Sequence, residues 1–183
     1  MKDNLRRVFA TDSGMVAVWQ PEQFHDIVDY DSWERELLED SDISRHIQQG
    51  AFVPLNVHAD GAYECVIRIG DATTQATLSE RESCYLLVSS EPYLFRSRGV
   101  LAISGLEHIG RSPGVSGASI PLEAADWAAT VHLIDWPEEP GAKTADGRPA
   151  PTALPDFIVI LNPATPGTQF RIKIDTYEKP GNA

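Results

Sequence analysis

The sequence predicts a mainly β protein: an antiparallel β-sandwich or strongly bent sheet of about nine or ten strands, with one short helical excursion near residues 31–49. Three observations carry this. Short apolar-rich runs recur along the chain with turn residues between them. Several runs alternate apolar and polar residues with period two, the pattern of a strand with one dry face. Helical spacing behind a capping residue is clear in only two neighbouring segments. At 183 residues, 42% hydrophobic and 23% charged, the chain fits a single globular domain over residues 1–183.

The elements follow in order. "RRVFATD" and "MVAVWQP", joined through Ser13-Gly14, read as a first hairpin. In the helical excursion Asp31 can cap a helix with Glu34 three residues on, and Tyr30, Trp33 and Leu37 then share a face. Ser41 can cap a second short helix carrying Ile43 and Ile47, with Gly50 as its stop. "AFVPLNVHADGAYECVIRIGD" reads as a hairpin turning at Asp60-Gly61, with Tyr63, Cys65, Ile67 and Ile69 on its drier face. "LSERES" offers a weaker helical turn. "SCYLLVSSEPYLFRSRGVLAISGLEHIG" breaks near Glu91-Pro92 and Arg98-Gly99 into two or three strands. "SIPLE" and "ATVHLIDW" are further strands, and "DFIVILNP" is apolar enough to be buried on both faces. "FRIKIDTYE" alternates as a terminal half-exposed strand. Residues 137–156, rich in Pro, Gly and Ala, are expected to form a mobile loop, and residues 178–183 a frayed tail.

Charge excludes several function classes. The net charge is −12 and the pI about 4.7, which points away from nucleic acid and anionic membranes. Basic residues are few, and Arg96 with Arg98 is the densest cluster. The stretch "EQFHDIVDYDSWERELLEDSD", residues 22–42, holds nine acids and one arginine, a local charge of −8 and two-thirds of the total imbalance. Such a run is either the solvated side of helices or a surface for a basic partner. The candidate partner-binding residues are Asp29, Asp31, Glu34, Glu36, Glu39, Asp40 and Asp42. No apolar run approaches the ~20 residues of a membrane span. No secretory signal opens the chain, so a cytoplasmic location is expected.

Motifs for chemistry are sparse. Cys65 and Cys84 form no Cys-x-x-Cys pair and are expected as buried thiols within strands. There is no His-x-His, no Gly-x-Ser-x-Gly elbow, no phosphate-binding Gly-rich loop and no dinucleotide fingerprint. "GVSGAS" reads as a loop. No cofactor and no catalytic residue are predicted. If a metal or acid–base site assembles across strands, His58, Asp60, His132 and Asp135 are its candidates. A sugar-binding surface would need two of Trp19, Trp33, Trp127 and Trp136 exposed together.

"VFATDSGMVAVWQP", the acidic segment, "FVPLNVHADGAYECVIRI", "LAISGLEHIG" and "IPLEAADWAATVHLIDW" occur in an order that resembles an uncharacterised family of bacterial domains, over roughly residues 6–136. The order is more specific than any one motif. The family has no known catalytic residues to carry over, and some members resemble bacterial immunity-type proteins. The resemblance implies a non-enzymatic binding protein, an inhibitor presenting an acidic surface to a basic toxin or nuclease. An enzyme with a site in a β-sandwich cleft and a carbohydrate-binding sandwich are the alternatives.

Overall fold

Leu5–Thr11 (β1) and Met15–Trp19 (β2) follow one another around Ser13-Gly14 but enter different sheets of the computed structural model, which describes residues 3–110, 114 and 116–177. The remaining elements are α1 (Tyr30–Leu37), α2 (Asp40–Gln48), β3 (Phe52–Asn56), β4 (Gly61–Ile69), α3 (Glu80–Cys84), β5 (Leu86–Ser89), β6 (Tyr93–Arg96), β7 (Gly99–Gly105), β8 (Ala118–Leu122), β9 (Asp126–Ile134) and β10 (Phe157–Pro163). Among the described residues there are thus ten strands and three α-helices. The first sheet runs β1-β4-β10-β9, with β5 and then β6 pairing along the free edge of β9. The second runs β3-β2-β7-β8.

The mainly β two-sheet architecture is as the sequence predicts, with one departure: β10 pairs parallel to β4, and the other strand pairs are antiparallel. Two predicted hairpins are corners instead. β1 pairs with β4 and β2 with β3, so the chain changes sheets at Gly14 and again at residues 57–60. The two corners pack on each other: the Val57 and His58 amides both donate to the Gly14 carbonyl at 3.0 Å. The residue that takes the left-handed backbone at the second corner is His58, at φ 54°, and not Gly61. Local turn chemistry marks the reversal of direction in both cases. It cannot say which strand the chain pairs with afterwards.

Both faces of the first sheet are covered at its centre, along β4 and β10. Cys65 and Ile67 of β4, and Phe157, Val159 and Leu161 of β10, join the main core between the sheets. Val66, Ile158 and Ile160 face the other way into a smaller cluster with Ala76, Ile134 and Leu154. This is why "DFIVILNP" reads as one continuous apolar run. Arg68 emerges on the same outer face, 5% exposed. It donates two hydrogen bonds to the Glu82 carboxylate of α3 (2.9 and 3.0 Å), reaches Asp3 at 2.7 Å, and donates to the Thr77 carbonyl. α3 is therefore fastened to the sheet by a buried ion pair, while Ser79 caps its first turn.

The second sheet is covered by the helices. β2 is buried along its whole length, and Phe24 packs on Trp19 and Phe52 with Ile43 and Ile47 of α2 in the same core. Leu37 is 1% exposed, whereas Tyr30, expected on the same anchoring face, is 66% exposed. The caps also shift. Asp29, not Asp31, caps α1 in a reciprocal box with Ser32, and α2 begins after Glu39 without a side-chain cap from Ser41. Gly50 does end α2, at φ +74°, and a methyl group there would lie 2.9 Å from Leu94 Cγ and 3.0 Å from Arg96 Cγ. Gly50→Ala is therefore expected to cost about 1–2 kcal/mol in urea unfolding, from the left-handed backbone alone, with the contact adding to it.

Two further readings change. "FRIKIDTYE" is not a strand: Arg171 forms an isolated bridge with Tyr93, and the chain then crosses the end of the sandwich. Its alternation misleads because the charged residue is the buried one. Arg171 is 5% exposed, with Nε donating to Tyr93 Oη and to the Asp175 carbonyl, both at 3.0 Å. Thr176 ties the same segment to Pro54 and Asn56. Cys65 is buried in β4 as expected, and burial pushes its thiol pKa up. Cys84, expected in a strand, is exposed at the end of α3.

Residues 137–156 carry a short 3₁₀ turn at Trp136–Glu138, a Lys143–Pro149 bridge, and buried Ala142, Ala153 and Leu154. Residues 178–183, expected to be frayed, lie outside the described residues. Among the described residues no helix is long and apolar enough to cross a membrane.

Candidate functional site

α1 carries Tyr30 and Trp33 of the acidic segment, and the helical repeat sets their geometry. Tyr30 and Trp33 are three residues apart and so stand one above the other on the helix. Their rings stack with centroids 6.0 Å apart and an interplanar angle of 14°. The Trp33 indole N–H donates to the Leu106 carbonyl at 3.0 Å, which locks the ring upright against the second sheet. Tyr30 lies outermost, and the hydrogen bond with Glu34 raises its phenol pKa.

Trp33 is the wall between two grooves. One, about 400 Å³, is lined by Ile27, Val28, Tyr30, Trp33, His108 and Ile109. The other, about 560 Å³, lies towards Leu37, Leu38, Ile43, His58 and Ile174. Val28, just before the Asp29 cap of α1, and Leu38, just after its last turn, are 62% and 52% exposed.

The predicted acidic residues distribute around these grooves unequally. Asp29 lines the first groove with Glu107, and Asp40 lines the second with Asp175. Asp29 also accepts from Ser32, and those bonds hold its carboxyl pKa below the usual range. Asp31, Glu39 and Asp40 are exposed. Glu36 and Asp42 turn elsewhere, towards Arg45, at 3.1 and 3.3 Å. Glu36 also meets the buried His46 ring at 3.0 Å, while burial lowers that histidine's pKa. Sequence reasoning missed Glu107 and Asp175, which come from distant parts of the chain. No local signal could have found them, because only the packing of the 106–110 and 171–176 segments against α1 and α2 brings them here. Glu107 is held by Thr11, Ser13 and the Asp12 amide.

The residues named for a metal or acid–base site lie in separate surroundings. His58 sits at the second corner with Nε2 3.1 Å from Asp175, beside an exposed Asp60. His132 is on β9, its Nδ1 2.7 Å from Ser89 Oγ, and burial pushes its pKa down to about 4. Asp135 follows β9, its amide donating to the Tyr85 carbonyl. Among the described residues no three His, Cys, Asp or Glu side chains are grouped to hold a metal ion. Trp19 and Trp127 are core residues. Trp33 and Trp136 are partly buried against different clusters, so the described tryptophans offer no shared stacking surface.

No protein-family model and no curated protein matches the chain. Two solved structures have a similar fold. One, described as "Crocagin biosynthetic gene J", is 13% identical, covers 90% of this chain and 100% of its own, and has a TM-score of 0.58. The other is ComJ from Bacillus subtilis, an inhibitor of the DNA-degrading activity of NucA, 9% identical over 89% of this chain and 98% of its own, with a TM-score of 0.50. At these identities the likeness is one of fold: the ten strands and the helical excursion form an architecture that a nuclease inhibitor also uses.

Proposed function

We propose that the protein is a non-enzymatic binding protein, an inhibitor that closes over a basic partner of the nuclease type. The observation that carries this reading is the exposed Tyr30 ring, stacked on the half-buried Trp33 between two grooves, with carboxylates at the rim of each. An aromatic centre with a polar rim is the usual anatomy of a protein contact. The acids around it suit one sign of partner. A nuclease that grips DNA must carry basic surface, and a net charge of −12 concentrated near the contact steers such a partner in. The fold shared with an inhibitor of a DNA-degrading nuclease supports the same class.

The test is a DNA-cleavage assay with NucA and with any nuclease encoded beside this protein's own gene. Cleavage is expected to fall in proportion to added protein until the two are equimolar. The triple variant Asp31→Lys, Glu39→Lys, Asp40→Lys is expected to slow association about tenfold or more at low salt and to flatten its salt dependence. An unchanged association rate and salt slope would remove the acidic face from the interface. Full cleavage at saturating protein would remove the inhibitor reading.

A further inference from the structure

Arg96 and Arg98 lie apart from these grooves, where the loop after α2 meets the end of β6. A cavity of about 390 Å³ opens there, lined in part by Gln20, Gln23, Gln49, Arg96, Ser97 and Arg98. Gln20 is 2% exposed. Its Oε1 accepts the Gln23 amide at 2.8 Å and so caps the 3₁₀ turn Pro21–Phe24, which fixes the orientation of the side-chain amide. Its Nε2 is then buried with no acceptor among the described residues. Flipping the amide would set NH₂ against N–H, so rotation offers no relief. A buried donor without an acceptor is unfavourable, and a charged oxygen is the strongest acceptor for it.

The two guanidinium groups are weakly engaged. Arg96 meets Asp126 at 3.6 Å, with the side chains 59% and 56% exposed. Arg98 meets Glu22 at 3.4 Å, with the side chains 65% and 60% exposed. Long, solvated pairs of this kind contribute little and exchange readily. Near the end of α2 the Arg45, His46 and Ile47 carbonyls accept from the Gln49, Ala51 and Gly50 amides, which reduces the negative charge presented to the cavity. No lining residue is aromatic, so nothing here would stack on a base or sugar ring.

We infer that this cavity binds a small oxyanion, a carboxylate or phosphate group, held by the Arg96 and Arg98 guanidinium groups and by Gln20 Nε2. Guanidinium offers paired donors that match either group, and Gln20, which lines the same cavity with a buried amide that lacks an acceptor, gives a neutral third contact. The site is independent of the proposed inhibitory surface and can fail or succeed without it.

The test is calorimetric titration and thermal unfolding of the full chain with sodium phosphate, sodium malonate and sodium chloride at matched ionic strength. Saturable binding and a rising Tm are expected with phosphate or malonate and not with chloride. The stronger of the two names the ligand group. Arg96→Gln with Arg98→Gln, both at exposed positions, is expected to weaken binding about tenfold or more. Gln20→Glu retains an oxygen to cap Gln23 and replaces the donor by a repelling carboxylate. It is expected to lower the Tm, because the new carboxylate is buried, and to abolish saturable binding at temperatures where its circular dichroism spectrum is still native. Equal, non-saturating effects of all three salts, or undiminished affinity in the double arginine variant, would overturn the site.

Discussion

Arg68→Ala is expected to destabilise the protein by about 3–5 kcal/mol in urea unfolding, because it leaves the Glu82 carboxylate buried without its partner. Glu82 is 7% exposed and Arg68 5% exposed, and the pair is joined by two hydrogen bonds. Replacing both, as Arg68→Met with Glu82→Leu, is expected to recover much of the loss, since an apolar pair pays no desolvation. A loss below about 1 kcal/mol for Arg68→Ala would show the pair behaving as a solvated one. The pH dependence has a definite sign. Burial alone would raise the Glu82 pKa, but the hydrogen bonds from Arg68 and Ser79 outweigh it and hold the group at about 2. The folded pKa lies below the unfolded value of about 4.3. The stabilisation is therefore complete above that unfolded value and is lost as pH falls through about 2. Acid unfolding of Glu82→Gln should be correspondingly flatter over this range than that of the native chain.

Tyr30→Ala is expected to weaken inhibition of the partner nuclease about thirtyfold while leaving unfolding by urea nearly unchanged. The dissociation between the two measurements is the point. Tyr30 is 66% exposed and contributes little to the core, so loss of binding would report contact rather than folding. Trp33→Ala should lose as much affinity or more, but with some cost to stability, because its ring packs on the core and donates to Leu106. An unchanged inhibition constant in Tyr30→Ala, measured beside a fully inhibited native control, would place the contact elsewhere on the surface. The charge variants act mainly on association and Tyr30→Ala mainly on dissociation, so surface plasmon resonance separates the two contributions.

The fold was largely legible because its signals are local. Alternation at Tyr63, Cys65, Ile67 and Ile69 reported one face of β4 meeting the main core. The unbroken run "DFIVILNP" reported a strand covered on both sides, and the cores above and below β10 are what cover it. The main failures arise from long-range packing. At Gly14 and at residues 57–60 the turn residues marked where the chain reverses, and the strands then paired with partners elsewhere in the sequence. In "FRIKIDTYE" the period-two pattern assumed that Arg171 points to solvent. It is buried because Tyr93 and the Asp175 carbonyl satisfy its guanidinium.

The sequence by itself determined the mainly β class, the position of the helical excursion and the concentration of negative charge within residues 22–42, since each is written in residue type and local spacing. Tertiary structure alone decided what that charge surrounds. Asp29 and Asp40 line grooves beside the Tyr30–Trp33 stack, joined there by Glu107 and Asp175, while Glu36 and Asp42 are turned aside onto Arg45. The physical reason is that a helix fixes its own face by periodicity, but the neighbours of that face are set by long-range packing. Glu107 lies 78 residues beyond Asp29 and Asp175 lies 135 beyond Asp40, and no local pattern in residues 22–42 encodes where they fold.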